Sequence, residues 1–299
     1  MDFLRFLEGI RLPFLDHLFQ WCTYLGQDIP IIIILCILFW SVNKALAYQV
    51  GLSFFSAGLL LQGLKITFRI DRPWILDPQF HPVESAVPAA TGYSFPSGHT
   101  QGATSLFSTL GLNTRRRGLK VFCVLIFCTV GFSRMYLGVH TPKDVLAAMA
   151  LGLICSLLVH RVFGRLDDTK KSNCRVGLVM GGCSLAVICY ALALLRLGTI
   201  DATYASDCCK AGGAGLGLAL GWYLERTYIQ FQPKAAPKWQ VIKCSLGLLC
   251  TLALKLGMKK ILGSSIPSEM AQYFLLVLWI LVLYPLLFQW ALRYRTSPR

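Results

Sequence analysis

Three polar stretches hold the residues whose types and spacing can do chemistry. Ser133 to Asp144 reads S-R-M-Y-L-G-V-H-T-P-K-D, Lys65 to Pro73 reads K-I-T-F-R-I-D-R-P, and Pro96 to His99 reads P-S-G-H. Together they supply three permanent cations (Lys65, Arg72 and Arg134), the histidines His99 and His140, and the carboxylate of Asp144. Cations gathered at one point repel one another unless an anion joins them. Phosphate is the expected anion. Arginine matches its oxygens with a planar fork of donors, lysine adds a compact charge, and a helix start adds free N–H groups. Ser97 and Gly98 suit that last role, the glycine letting an anion approach the backbone and the serine offering its hydroxyl. Positive groups around the transferring oxygens are the main requirement of phosphoryl transfer.

His140 is the expected nucleophile, because Asp144 follows four residues on. A carboxylate on one ring nitrogen fixes the tautomer and leaves the other nitrogen free to attack phosphorus. Neither Ser97 nor Thr141 has a comparable base. His99 is then the acid that protonates the leaving oxygen and afterwards the base that activates water. Two histidines with opposed protonation needs predict a bell-shaped pH dependence. Each residue also has a structural explanation. Thr141-Pro142-Lys143-Asp144 is a good helix start, with Thr141 as N-cap and Asp144 as capping carboxylate. His99 alone would serve as an interfacial cap, and Lys65 or Arg72 as a snorkelling anchor. What favours chemistry is their conjunction on one membrane face. His17 and His160 lack such company and are read as interfacial, while His81 and Glu84 fall in a long loop with no supporting pattern.

The elements that must position these residues are membrane helices. Of 299 residues 55% are hydrophobic and only 14% charged, against roughly 25% charged in soluble domains, so the chain is expected to be all-α, a polytopic transmembrane bundle. Residues 1–20 alternate Phe and Leu with charges and are expected to form an interfacial amphipathic segment broken at Pro13. Nine spans of about the required 20 residues are expected: 21–41, 44–68, 97–113, 119–137, 141–163, 176–197, 211–224, 241–262 and 271–292. Residues 21–165 would then form a five-span core holding all three motifs, and 166–299 a four-span extension. Lys65 and Arg72 follow the second span, Ser97 to His99 open the third, and Arg134, His140 and Asp144 bridge the fourth and fifth, so all lie on one face. The long proline-rich loop 70–95 suggests a cleft wall.

The formal charge of +15 is scattered through short loops rather than gathered on a surface, which argues for topological positive charge and against a nucleic-acid partner. Arg115–Arg117, Lys170, Lys171, Arg175, Lys234, Lys238, Arg293, Arg295 and Arg299 fall in one set of loops, predicting a cytoplasmic C-terminus and an extracytoplasmic or lumenal motif face. The glycines Gly213, Gly217 and Gly221, four apart, are expected to let helices pack closely. Most of the twelve cysteines lie inside apolar runs, and Cys208 and Cys209 are expected in a loop. No C-x-x-C pair and no His/Cys spacing suited to zinc occurs, so no metal or other cofactor is expected.

On these motifs the chain resembles the type-2 phosphatidic acid phosphatase superfamily, whose signature K-x6-R-P, P-S-G-H, S-R-x5-H-x3-D stands complete over Lys65–Pro73, Pro96–His99 and Ser133–Asp144. The resemblance covers roughly residues 20–165. It implies a metal-independent helical-bundle phosphohydrolase in which His140 forms a phosphohistidine, Asp144 orients it, His99 acts on the leaving group, and Lys65, Arg72, Ser97, Gly98 and Arg134 hold the phosphate. The expected partners are the lipid bilayer and a lipid phosphate or diphosphate such as phosphatidate, a polyprenyl diphosphate or a sphingoid phosphate. A sugar phosphatase resembling glucose 6-phosphatase, a lipid phosphotransferase and a non-catalytic transporter are the alternatives.

Overall fold

The computed structural model describes residues 1–296, and these form helices and loops with no strand among them. Arg299, one of the basic residues that predict the orientation, lies outside the described residues. The chain divides into two units, Met1–Ile32 with Gln49–Phe163, and Ile33–Tyr48 with the residues from Gly164 onward. The first holds α1 (Asp2–Gly9), α2 (Pro13–Tyr24), the start of α3 (Asp28–Ile37), most of α4 (Lys44–Phe68), the short α5 (Pro73–Leu76), α6 (Gly98–Leu112), α7 (Arg117–Tyr136) and α8 (Pro142–Phe163). The second holds α9 (Lys170–Arg196), α10 (Ala202–Leu224), α11 (Pro237–Leu262), α12 (Ile266–Leu278) and α13 (Tyr284–Thr296).

Among the described residues, six helical stretches are long and apolar enough to cross a membrane: Lys44–Leu76, Arg117–Tyr136, Pro142–Phe163, Lys170–Arg196, Pro237–Leu262 and Ile266–Ala291. A seventh arises if Pro13–Tyr24 and Asp28–Val42, bent by 44°, count as one span. The expected count of about nine is not confirmed by length and hydropathy alone. The two expected spans outside this set correspond to α6 and α10, and each differs from a lipid-facing helix for a physical reason. The 15 residues of α6 reach about 22 Å, short of the roughly 30 Å hydrocarbon core. Thr100 to Thr109 are all buried within the first unit, so their polar side chains face protein rather than lipid. Gln101 Nε2 donates to Ser105 Oγ at 2.9 Å, and Ser108 Oγ to Ser156 Oγ of α8 at 2.7 Å.

Helix α10 is diluted by glycine and by Asp207 and Lys210, and it too is largely buried. Its glycines press on α12, where a Cβ at Gly213 would collide with the Met270 carbonyl and one at Gly217 would come within 2.7 Å of the Phe274 carbonyl. Close packing of small residues is thus their role. Cys208 and Cys209 are buried inside this helix rather than set in a loop, and neither is in a disulfide. By contrast α7, α8, α9 and α11 expose rows of large apolar residues, among them Phe122, Leu125, Ile154, Leu158, Leu178 and Leu249. In water these would form apolar patches; in a bilayer they meet acyl chains.

Leu4 and Leu7 of α1 are buried in a cluster with Phe80, Ala86, Tyr136, Leu137 and Val139, so one apolar face docks on the long loop and the end of α7. Phe3, Phe6, Phe14 and Trp21 stay exposed. Helix α2 runs through residue 20 without a break; the chain turns at Ile10–Leu12 and again between Tyr24 and Asp28.

Candidate active site

Where α7 ends, its last carbonyls need partners, and the motif residues are held by how they are found. Gly138 has φ +76°, a left-handed conformation that favours glycine. Gly138 N–H donates to the Met135 carbonyl at 3.0 Å and Val139 N–H to the Arg134 carbonyl at 3.1 Å, which is the double closure of a Schellman turn. Val83 N–H takes the Leu137 carbonyl at 3.0 Å, and Arg11 Nε takes that of Tyr136 at 3.2 Å. The chain then presents Val139 and His140 to Arg72, whose Nη1 donates to the Val139 carbonyl at 3.0 Å and to His140 Nε2 at 2.9 Å. Arg72 is itself fixed through Nε to the Gly92 carbonyl, 3.0 Å, and Nη2 to the Thr91 carbonyl, 2.6 Å.

Because arginine can only donate, Nε2 of His140 is the accepting nitrogen and the ring proton sits on Nδ1. Nδ1 lies 3.5 Å from Asp144 Oδ2, beyond a good hydrogen bond. That oxygen already accepts from Ser94 Oγ at 2.7 Å and from Thr141 N–H at 2.7 Å. The capping role of Asp144 is therefore realised, and its carboxylate meets the imidazole as a close charge rather than by a direct bond. Burial, reinforced by the charges of Arg72, Arg134 and Lys65, holds the His140 imidazole well below the ordinary histidine range, while a hydrogen bond to the Ser94 backbone acts the other way. The ring is neutral at rest, the form with a nucleophilic nitrogen.

Ser97 caps α6 from an extended backbone, and its N–H donates to the Asp144 carbonyl at 3.1 Å, which joins the second motif to the third. Its hydroxyl oxygen accepts from Thr100 Oγ1 at 2.9 Å, leaving its own hydrogen to be donated elsewhere. A Cβ at Gly98 would meet open space, so that side of the helix start is unobstructed. Arg134 is fully buried, and Nη1 donates to Thr23 Oγ1 at 3.0 Å. Its Nε and Nη2 have no partner among the described residues, and neither has the buried Nε2 of His99. Such donors are costly to bury unpaired, and an anion would satisfy them. Lys65, on the last turn of α4, is 9% exposed. Arg134, His140, Lys65 and Arg72 all act electrostatically on His99, so the three motifs converge within the first unit.

Sequence patterns do not mark several residues on which this arrangement leans. Thr23 orients Arg134, Ser94 holds Asp144, and the carbonyls of Thr91 and Gly92 hold Arg72. Gly26 sits where a Cβ would collide with the His99 carbonyl and approach Val130 Cγ1 within 2.9 Å, so the break between α2 and α3 packs directly on the second motif. Thr23 and Gly26 lie in an apolar segment and Ser94 in a loop without periodicity, so no spacing singles them out. Among the described residues no cluster of three His, Cys, Asp or Glu side chains is arranged to hold a metal ion.

A sequence model of the PAP2 superfamily matches residues 46–168, and one described as the PAP2 superfamily phosphatase transmembrane extension matches residues 209–295. The chain belongs to the PAP2 superfamily. The PAP2 match contains all three motif stretches, and membership makes the chain a membrane enzyme of the phosphatase class. Phosphatidylglycerophosphatase B of Bacillus subtilis is 28% identical over 164 residues, which is 50% of this chain and 76% of the relative. Undecaprenyl-diphosphatase of Bacillus subtilis is 32% identical over 106 residues, 35% of this chain and 52% of the relative. Sphingosine-1-phosphate phosphatase 2 of Homo sapiens is 24% identical over 258 residues, 84% of this chain and 62% of the relative. The last two are therefore spanned over less than two thirds of their own length.

Proposed function

We propose that this PAP2 chain is a metal-independent phosphohydrolase that removes phosphate from a lipid phosphate or diphosphate through a phosphohistidine at His140. The observation that carries the reading is the buried guanidinium of Arg134, with two N–H donors unpaired, in the same site as Arg72 and the neutral ring of His140. A tetrahedral dianion would take those donors together with the Ser97 hydroxyl, the N–H groups opening α6 and the charge of Lys65. At rest Arg72 covers the Nε2 lone pair of His140. A phosphate oxygen that accepts the Arg72 N–H in its place would uncover Nε2 for in-line attack. With the dianion bound beside it, His99 takes up a proton, delivers it to the leaving oxygen as the P–O bond breaks, and, neutral again, takes one from the water that cleaves the phosphohistidine.

The lipid assignment rests on the relatives, whose names refer to membrane lipid phosphates, and on a site beside helices that face acyl chains. A long-chain base phosphate is the first monoester to test, since the human sphingosine-1-phosphate phosphatase aligns with 84% of the chain. The distribution of loop arginine and lysine favours an extracytoplasmic or lumenal site and a cytoplasmic C-terminus. The experiment is a panel of phosphatidate, a polyprenyl diphosphate, sphingosine phosphate and glucose 6-phosphate, with released inorganic phosphate measured against labelled lipid product. Release from one or more lipids is expected. Turnover of the sugar alone would overturn the lipid reading, and label passing to another lipid in place of water would make the enzyme a transferase.

A further inference from the structure

Of the four carbonyls that α7 leaves without helical partners, two are closed by the turn itself and one by the Val83 amide. The fourth, that of Tyr136, is closed by a side chain from outside the motifs, Nε of Arg11 at 3.2 Å. The same guanidinium reaches the long loop, where Nη1 donates to the His81 carbonyl, and its carbon lies 5.4 Å from the centre of the Phe80 ring. Its Nη2 rests against Gly138, so closely that a Cβ there would lie 2.6 Å away. The next residue adds a tie, Leu12 N–H donating to the Tyr136 hydroxyl at 3.2 Å. One side chain thus joins the cleft-wall loop, the end of α7 and the glycine two residues before His140.

We infer that Arg11 is a positioning residue for His140, clamping the Schellman turn from which the nucleophile hangs. It acts through Tyr136 and Gly138 and touches neither the imidazole nor the phosphate site. Arginine is the residue that fits, because its planar fork serves two diverging carbonyls at once while its face lies on an aromatic ring. A lysine ammonium offers its three donors from a single point, without the planar fork or the face that lies on the ring. By sequence Arg11 is one charge among several on an amphipathic segment, and Arg5 shows the ordinary fate of such a charge: it pairs with Asp77 at 2.6 Å on the surface, away from the turn. The inference rests on His140 being the nucleophile.

The test uses the purified full chain in micelles with dioctanoyl phosphatidate, measuring kcat and KM separately, and amide hydrogen exchange at Gly138 and Val139. Arg11→Ala is expected to lower kcat about 10- to 100-fold, the scale of a small misplacement of a reacting group, with KM changed less than about twofold and faster exchange at both amides. Arg11→Lys should fall between, and Arg5→Ala should match the wild type. If Arg11→Ala does not fold, Arg11→Lys decides alone, its kcat lying below wild type with exchange raised at the turn. Wild-type kcat in the Arg11 variants, an equal loss in Arg5→Ala, or unchanged exchange at the turn would overturn the clamp. A wild-type enzyme inactive on every substrate of the panel would instead defeat the hydrolase reading, and the exchange measurement would still judge the clamp.

Discussion

Replacing Arg134 by lysine keeps a positive charge at the site and removes the fork, so it isolates what the guanidinium contributes. Among the described residues Arg134 bonds Thr23 Oγ1 through Nη1, and its Nε and Nη2 have no partner. A bound phosphate is expected to take both, and charge-assisted hydrogen bonds are worth about 1.5–3 kcal/mol each. Lysine at this position can restore one of the two, so the net loss is about 1.5–3 kcal/mol, a weakening of about 10- to 150-fold. The assay is competitive inhibition by inorganic phosphate and by orthovanadate, compared between wild type and Arg134→Lys. Both inhibition constants should rise by that factor, while the thermal midpoint moves little because few protein–protein bonds are lost. Constants within about threefold of wild type would mean that the unpaired donors are not the anion's partners, and the reasoning from buried orphan groups would fail.

Three further outcomes follow from the same geometry. Gly26→Ala drives a methyl group into the His99 carbonyl, and such overpacking costs about 1–3 kcal/mol; a lowered thermal midpoint with reduced kcat is expected, and an unchanged midpoint would show that the α2–α3 break gives way freely. Since the folded protein holds His140 well below the ordinary value of about 6.5, the unfolded chain takes up that proton first as pH falls. Stability is then full above about 6.5 and declines through the window below it. Thermal midpoints should drop more steeply toward acid in wild type than in His140→Gln, and parallel slopes would contradict the shift. Turnover is expected to persist in EDTA, and strong inhibition reversed by added metal would contradict a site that works through arginine, lysine and histidine.

What could be read from the chain alone follows from which physical signals are local. The membrane character and most of the helices are carried by composition and hydropathy, and the order of spans brings Lys65, Ser97 and His140 to one face of the first unit. Fewer helices than the nine expected pass as lipid-facing spans, because hydropathy falls where a helix is shielded by protein. Polar α6 and glycine-rich α10 are interior helices, and hydropathy sees only residues that meet lipid. Asp144 was legible as a partner of His140 and as a helix cap, and the geometry divides the hydrogen bonding of its Oδ2 between the Thr141 cap and Ser94. Contacts made across long stretches of chain were not legible. Thr23 to Arg134, Gly26 to His99 and Arg11 to Tyr136 each join segments more than 70 residues apart, and none of these partners has a spacing or composition that announces it.

The central claim is that the phosphoryl group passes through His140, and trapping it is the most direct test. Labelled lipid phosphate would be mixed with wild type, His99→Ala and His140→Gln, quenched into base where phosphohistidine survives, and the peptides examined by mass spectrometry. A phosphoryl group on the peptide containing His140 is predicted in wild type, persisting longer in His99→Ala and absent from His140→Gln. Label on any other residue, or full turnover by His140→Gln, would contradict the account.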